Sequence, residues 1–153
     1  MSTTIVNEDS FSVVTCIKAS PEVLYRAWTD KAGVEGWLAD EAEMDARVDG
    51  RYILKWPTPD GEVSARGKYL ELVPGKRIVQ TWESWGPEGR FEGGDVKLQI
   101  EFEALQDGST QMTQTEWSDA YKEKKSLNMS INGTIQSHET LATFVESSDE
   151  PGA

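Results

Sequence analysis

Cysteine and histidine are almost absent from the 153-residue chain, which has Cys16 and His138 and no others. One cysteine excludes an internal disulfide framework and a thiolate metal cage. One histidine excludes most histidine-rich metal sites, and no metal or cofactor is expected. A Cys16–His138 nucleophilic pair has no local motif behind it, so Cys16 is expected as a small buried hydrophobe in a strand. Basic residues are scarce as well. Fifteen Lys and Arg stand against twenty-seven Asp and Glu, a net charge of -12. Affinity for nucleic acid comes largely from neutralised phosphates, so this balance argues against a nucleic-acid binder. It argues equally against docking on anionic lipid.

Long apolar runs are missing too. Met1 to Ser10 carries no basic region and no apolar stretch, so no signal peptide is read there. No segment elsewhere is long enough to span a bilayer, and the expected location is cytoplasmic. The glycosylation sequons at Asn128–Ser130 and Asn132–Thr134 then read as chance. There is no P-loop, dinucleotide fingerprint, zinc-protease motif or nucleophile elbow; Pro74-Gly-Lys-Arg77 is a turn without P-loop spacing.

What the chain does have is aromatic bulk: six Trp, four Tyr and four Phe. At roughly one domain per ~150 residues it makes a single domain. Residues 10–147 are assigned to it, with 1–9 and 148–153 as frayed ends. Phe11 to Lys18 reads as a strand. Ser20-Pro21 starts a helix whose stripe is Val23, Leu24, Ala27 and Trp28. Asp30 opens a second short helix with Val34, Trp37 and Leu38, although Gly33 and Gly36 weaken it.

From about Glu41 the period becomes two. Tyr52, Leu54 and Trp56 share one strand face, and Ile78, Gln80 and Trp82 another. Glu62 to Leu72 is a long strand with Gly67 as a bulge or bend. Trp85 to Gly94, with four glycines and a proline, reads as a mobile connection. Val96, Leu98, Ile100 and Phe102 alternate with polar residues, giving one dry and one wet face. Asp107-Gly108 is a hairpin turn before Thr110 to Trp117. Leu127, Ile131, Thr134, His138, Leu141 and Val145 then form one face of a long helix. The order is strand, helix pair, about six antiparallel strands, long helix: an α+β chain with its helices on one side of a curved sheet of six to seven strands.

"KASPEVLYRAWTDKAGVEGWL", "VDGRYILKW" and "YLELVPGKRIVQTWE", in that order over about residues 11–146, resemble the START-like, Bet v 1-like helix-grip superfamily (SRPBCC). More narrowly they resemble the family named for the C-terminal domain of the activator of Hsp90 ATPase. The resemblance implies a bent antiparallel sheet gripping the C-terminal helix, with a cavity between them. It implies binding of a hydrophobic or amphipathic small molecule there, cyclase-type chemistry in some members, and Hsp90 as a partner of the eponymous co-chaperone. Related sequences commonly carry a Gly-Trp pair early in the last helix and leucines on its inward face. Here Gly133 is followed by Thr134, and His138 takes an inward leucine position. Both exchanges replace apolar bulk by polarity, and the loss of the tryptophan is expected to enlarge the cavity or open its mouth.

The expected function is therefore binding of a small hydrophobic or amphipathic molecule under the last helix. Trp37, Trp56 and Trp82 would line the site, with Met112, Ile131 and Ile135 adding apolar surface. His138, Gln80 and Gln114 would orient a polar group. No catalytic residue is assigned; His138, able to shuttle a proton near neutral pH, is the candidate. Its alternative is a histidine hydrogen-bonded to a neighbouring strand. Glu116 shares the strand phase of Gln114 and is a lining candidate, unless a one-residue register slip turns both to solvent. At least two of Trp37, Trp56, Trp82, Trp85 and Trp117 are expected to touch the cavity, with Trp85 near its mouth and Trp28 packed on the sheet. Acidic residues such as Glu101 and Glu103 read as a solvated face. The rival readings are a cavity-based cyclase, dehydratase or hydrolase-like enzyme, and a protein-interaction module. A homodimer is a further expected form of partnership.

Overall fold

Ser20 and Pro21 start a helix three residues after the end of a strand, as their chemistry predicts. The Ser20 hydroxyl accepts from the Val23 backbone N–H at 3.2 Å, and Pro21 occupies the first turn. The computed structural model describes residues 2–91 and 95–146. Its strands are β1 (Ser2–Val6), β2 (Ser10–Ile17), β3 (Glu41–Met44), β4 (Arg51–Thr58), β5 (Gly61–Val73), β6 (Arg77–Gly86), β7 (Gly89–Arg90), β8 (Val96–Ala104) and β9 (Thr110–Trp117). Helices α1 (Pro21–Thr29) and α2 (Lys31–Trp37) follow β2. A 3-10 turn at Asp119–Lys122 leads into the long helix α3 (Lys124–Glu146).

All strands pair antiparallel in one sheet of order β1-β2-β9-β8-β6-β5-β4-β3, with β7 folded back on β6. This is the α+β helix-grip architecture the sequence implies, with nine strands rather than six or seven. Residues 2–6, read from sequence as a frayed lead-in, instead add the edge strand β1 in register with β2, Ser2 opposite Thr15 and Val6 opposite Phe11. The connection expected at residues 85–94 is largely a hairpin: β6 continues through Gly86 and pairs with β7. Residues 92–94, with the tail at 147–153 and Met1, lie outside the described residues.

The alternation of β2 decides which side chains face inward. Phe11, Val13, Thr15 and Ile17 are buried, whereas Cys16 points out and is exposed. Cys16 is thus not the buried hydrophobe expected of it: it falls on the outward phase. Gly67 is not the bulge, because the register shift falls between Tyr69 and Glu71. A Cβ at Gly67 would lie 2.1 Å from the Thr81 carbonyl oxygen, so glycine is needed there for close approach. Gly36 has a similar cause, since a Cβ there would lie 2.5 Å from Phe144 Cε1 on α3.

Two apolar clusters hold the helices on the sheet. The larger joins Leu24, Trp28, Val34 and Trp37 of the helix pair to Leu54, Ile78, Leu98, Ile100 and Met112, with Leu141 and Val145 of α3. The smaller is Phe11, Val13 and Tyr121, covered by Leu127, Ile131 and Ile135. At ~25 cal/mol per Å² of apolar area, burial of such side chains is the main force fixing α3 across the strands.

Candidate functional site

Between the sheet and the N-terminal half of α3 lies a cleft of about 450 Å³ that takes walls from both clusters. Trp82, Val96 and Leu98 come from the sheet, Trp28 and Leu38 from the helix pair and the residue after it, and Tyr121 from the 3-10 turn. Ser130, Gly133, Thr134 and Ser137 present the small polar face of α3. Thr134 follows Gly133 in this wall, and nothing lies within 4 Å of a Cβ built at Gly133. The volume falls in the range of small-molecule sites.

A hydrogen-bonded chain runs into this cleft, and its direction follows from the groups themselves. Gln114 Nε2 donates to Glu116 Oε2 at 2.7 Å. Gln114 Oε1 therefore faces His138 Nε2 at 2.9 Å and must accept from it. The His138 proton is then on Nε2, and Nδ1 accepts from the Thr15 hydroxyl at 2.7 Å. Thr15 has spent its proton, so it accepts from Ser2 Oγ at 2.6 Å. At the cleft end, Glu116 Oε1 accepts from the Tyr121 hydroxyl at 2.6 Å, and Oε2 from Thr134 Oγ1 at 3.3 Å.

Burial sets the protonation states. His138 is fully buried, and desolvation lowers its pKa from 6.5 to about 4. It is neutral at pH 7, as the chain of donors requires. Burial pushes the Glu116 carboxyl up, against the lowering effect of its bonds from Tyr121, Gln114 and Thr134. The Tyr121 phenol is raised by burial and by the carboxylate beside it. Among the described residues, the buried Nε1 donor of Trp28, another wall of the cleft, and the buried Gln80 Oε1 acceptor have no hydrogen-bond partner.

Of the nine residues expected in the site, Trp82 and Gln114 line the cleft. His138 lies behind Gln114 and reaches the cleft only through it. Gln80 lies beneath, opposite Leu98 and Tyr69 in register. Trp37 and Trp56 are elsewhere: the Trp37 indole N–H binds the Ala27 carbonyl and ties α2 to α1, and the Trp56 indole N–H binds the Leu38 carbonyl and ties β4 to the end of α2. Met112 is fully buried in the core, and Ile131 and Ile135 pack on Phe11, Val13 and Tyr121. Trp82 alone of the five expected tryptophans therefore lines this cleft. Trp85 lies under the Arg66 guanidinium at 4.2 Å, and Lys97 Nζ is 5.5 Å from the Trp117 ring.

Tyr121, Trp28 and Thr134 were not expected in the set. Trp28 was legible as part of an apolar stripe, which does not tell a wall from a core position. Tyr121 carried no periodic signal, because the turn that bears it is a single 3-10 segment. Among the described residues, no group of three or more His, Cys, Asp or Glu is arranged to hold a metal ion, and no helix is long and apolar enough to cross a membrane.

Comparison with known proteins agrees with this architecture. The human activator of 90 kDa heat shock protein ATPase homolog 1 is 31% identical over 115 residues, 68% of this chain and 32% of the human protein. The chain thus spans about a third of the length of that curated relative. The solved structure of an Arthrobacter aurescens protein superposes with a TM-score of 0.80 at 16% identity, covering 97% of this chain and 93% of that one. One from Rhizobium leguminosarum gives 0.72 at 22% identity, covering 97% and 99%. The family model described as activator of Hsp90 ATPase homolog 1-like protein matches residues 18–146, and the chain belongs to that family.

Proposed function

We propose that this protein binds a small amphipathic molecule in the cleft between the sheet and α3. The carrying observation is a cleft of about 450 Å³ that combines apolar walls at Trp28, Trp82 and Leu98 with the half-buried carboxyl of Glu116. Binding would draw mainly on apolar burial, with Glu116 and Gln114 orienting the polar end.

Native mass spectrometry and thermal melting with an amphiphile library test this. Gly133→Trp places an indole in the open space. A stoichiometric small molecule, or a melting point raised in the parent and not in a folded Gly133→Trp protein, is the expected result. No copurified molecule and no shift in either protein refutes it.

The identity to the human activator favours a second reading, a co-chaperone-like interaction module acting on Hsp90. Stimulation of the host Hsp90 ATPase by this chain, retained in Gly133→Trp, is its test. A cavity-based enzyme would need a proton-transfer group facing the ligand. His138 has no exposed surface, and Glu116 is the ionisable carboxyl lining the cleft.

A further inference from the structure

We infer that the cleft selects a cationic amphiphile, an amine or alkylammonium on an apolar body, with Glu116 as its counter-ion. The inference rests on the reading of the cleft as a small-molecule site and names the chemistry of its ligand.

Charge accounting carries it. Among the described residues, Glu116 is the one carboxylate lining the cleft, and no Lys, Arg or His lines it. Its oxygens accept from Tyr121, Gln114 and Thr134, all neutral donors. The ion pairs of the described residues lie elsewhere, at Glu35, Glu43, Glu71, Glu83, Glu101, Asp45, Asp95 and Asp119. Enclosed carboxylates are ordinarily paired with a cation. This one is held in place by fixed donors and lacks that partner among the described residues, so a ligand ammonium would complete it with little reorganisation.

The walls suit the same chemistry. Trp28, Trp82 and Tyr121 offer aromatic rings in the same lining, and such rings attract ammonium groups while packing an apolar body. An anionic head group would meet Glu116 with no cation in the lining to offset the repulsion. The net charge of -12 adds a long-range attraction for cations.

The test is calorimetric titration of the full chain at pH 7 with three probes of one skeleton: 4-phenylbutylamine, 4-phenylbutanol and 4-phenylbutyrate. The amine is expected to bind at least tenfold more tightly than the alcohol, and the carboxylate most weakly. Glu116→Gln should bring the amine down to the level of the alcohol. Should that variant fail to fold, Ser130→Lys supplies an internal ammonium beside Tyr121 and Glu116, and should abolish the preference for amine while alcohol binding persists. Equal binding of amine and alcohol by the parent overturns the charge selection and leaves the small-molecule reading standing. A preference that survives in the folded Glu116→Gln or Ser130→Lys protein does the same. Failure of all three probes, together with no melting shift from any library amphiphile, overturns both.

Discussion

Acid should unfold this protein through His138, and the size of the effect follows from its burial. The ring is fully buried and neutral, held by Thr15 at Nδ1 and Gln114 at Nε2, and its pKa falls from 6.5 to about 4. A depressed folded-state pKa means that between pH 6.5 and about 4 the unfolded chain binds the proton that the folded chain refuses. The stabilisation is present above 6.5 and is lost as pH falls toward 4. Linkage gives a loss of about 2 kcal/mol between pH 7 and pH 5, and about 3 kcal/mol by pH 4. Glu116 acts in the opposite sense: its raised pKa lets the folded state take up a proton first, so its contribution to stability grows on acidification. Glu35, Glu43 and Asp107, lowered by hydrogen bonds at the surface, lose stabilisation as pH falls below their unfolded values. A difference between two proteins isolates the histidine from all of these. Urea unfolding at a series of pH values, for the parent and for His138→Leu, provides it. The variant should be less stable at pH 7, because Thr15 and Gln114 lose a shared partner. The gap should close by about 2 kcal/mol on going to pH 5. Parallel curves would show that His138 is not buried and neutral, and would refute the hydrogen-bonded chain deduced from it.

Two helix glycines should respond oppositely to the same change. Gly133→Ala, with open space at its Cβ, should stabilise the protein by about 1 kcal/mol in urea unfolding. Gly36→Ala should lose that gain or more, because its Cβ would meet the Phe144 ring at 2.5 Å. Ser20→Ala removes the cap on Val23 N–H and should cost about 1 kcal/mol, read as a lower melting temperature.

The helix-grip architecture was legible because its signals are local. The Ser20-Pro21 cap, the alternation from Val96 to Phe102 and the stripe from Leu127 to Val145 each report on their own neighbours in sequence. Strand β1 was not legible, because Ser2–Val6 acquires its role from pairing with β2 rather than from any apolar phase of its own; Ile5 and Val6 remain half exposed or more. The tryptophans misled for a related reason. Trp37 and Trp56 have the size and phase of cavity walls, yet what places them is a pair of carbonyls at Ala27 and Leu38 that no periodicity announces.

The polar chain sits between these cases. Each member is visible as a polar residue on an apolar phase: Thr15 between Val13 and Ile17, Gln114 two residues after Met112, His138 within the helical stripe. A buried polar group must find a partner, so the sequence raises three separate questions. The fold answers them together. In the β2–β9 register Val13 pairs with Gln114 and Thr15 with Met112, which puts Thr15 and Gln114 diagonally adjacent on one face. Helix α3 then lays His138 across both, bridging residues 123 and 24 positions apart. An inward leucine would leave the Gln114 carbonyl oxygen without its partner and the Thr15 hydroxyl with Ser2 alone. It would also release the Gln114 amide to turn away from Glu116. By pinning one end of that amide, the single histidine of the chain orients the other end toward the carboxylate of the cleft.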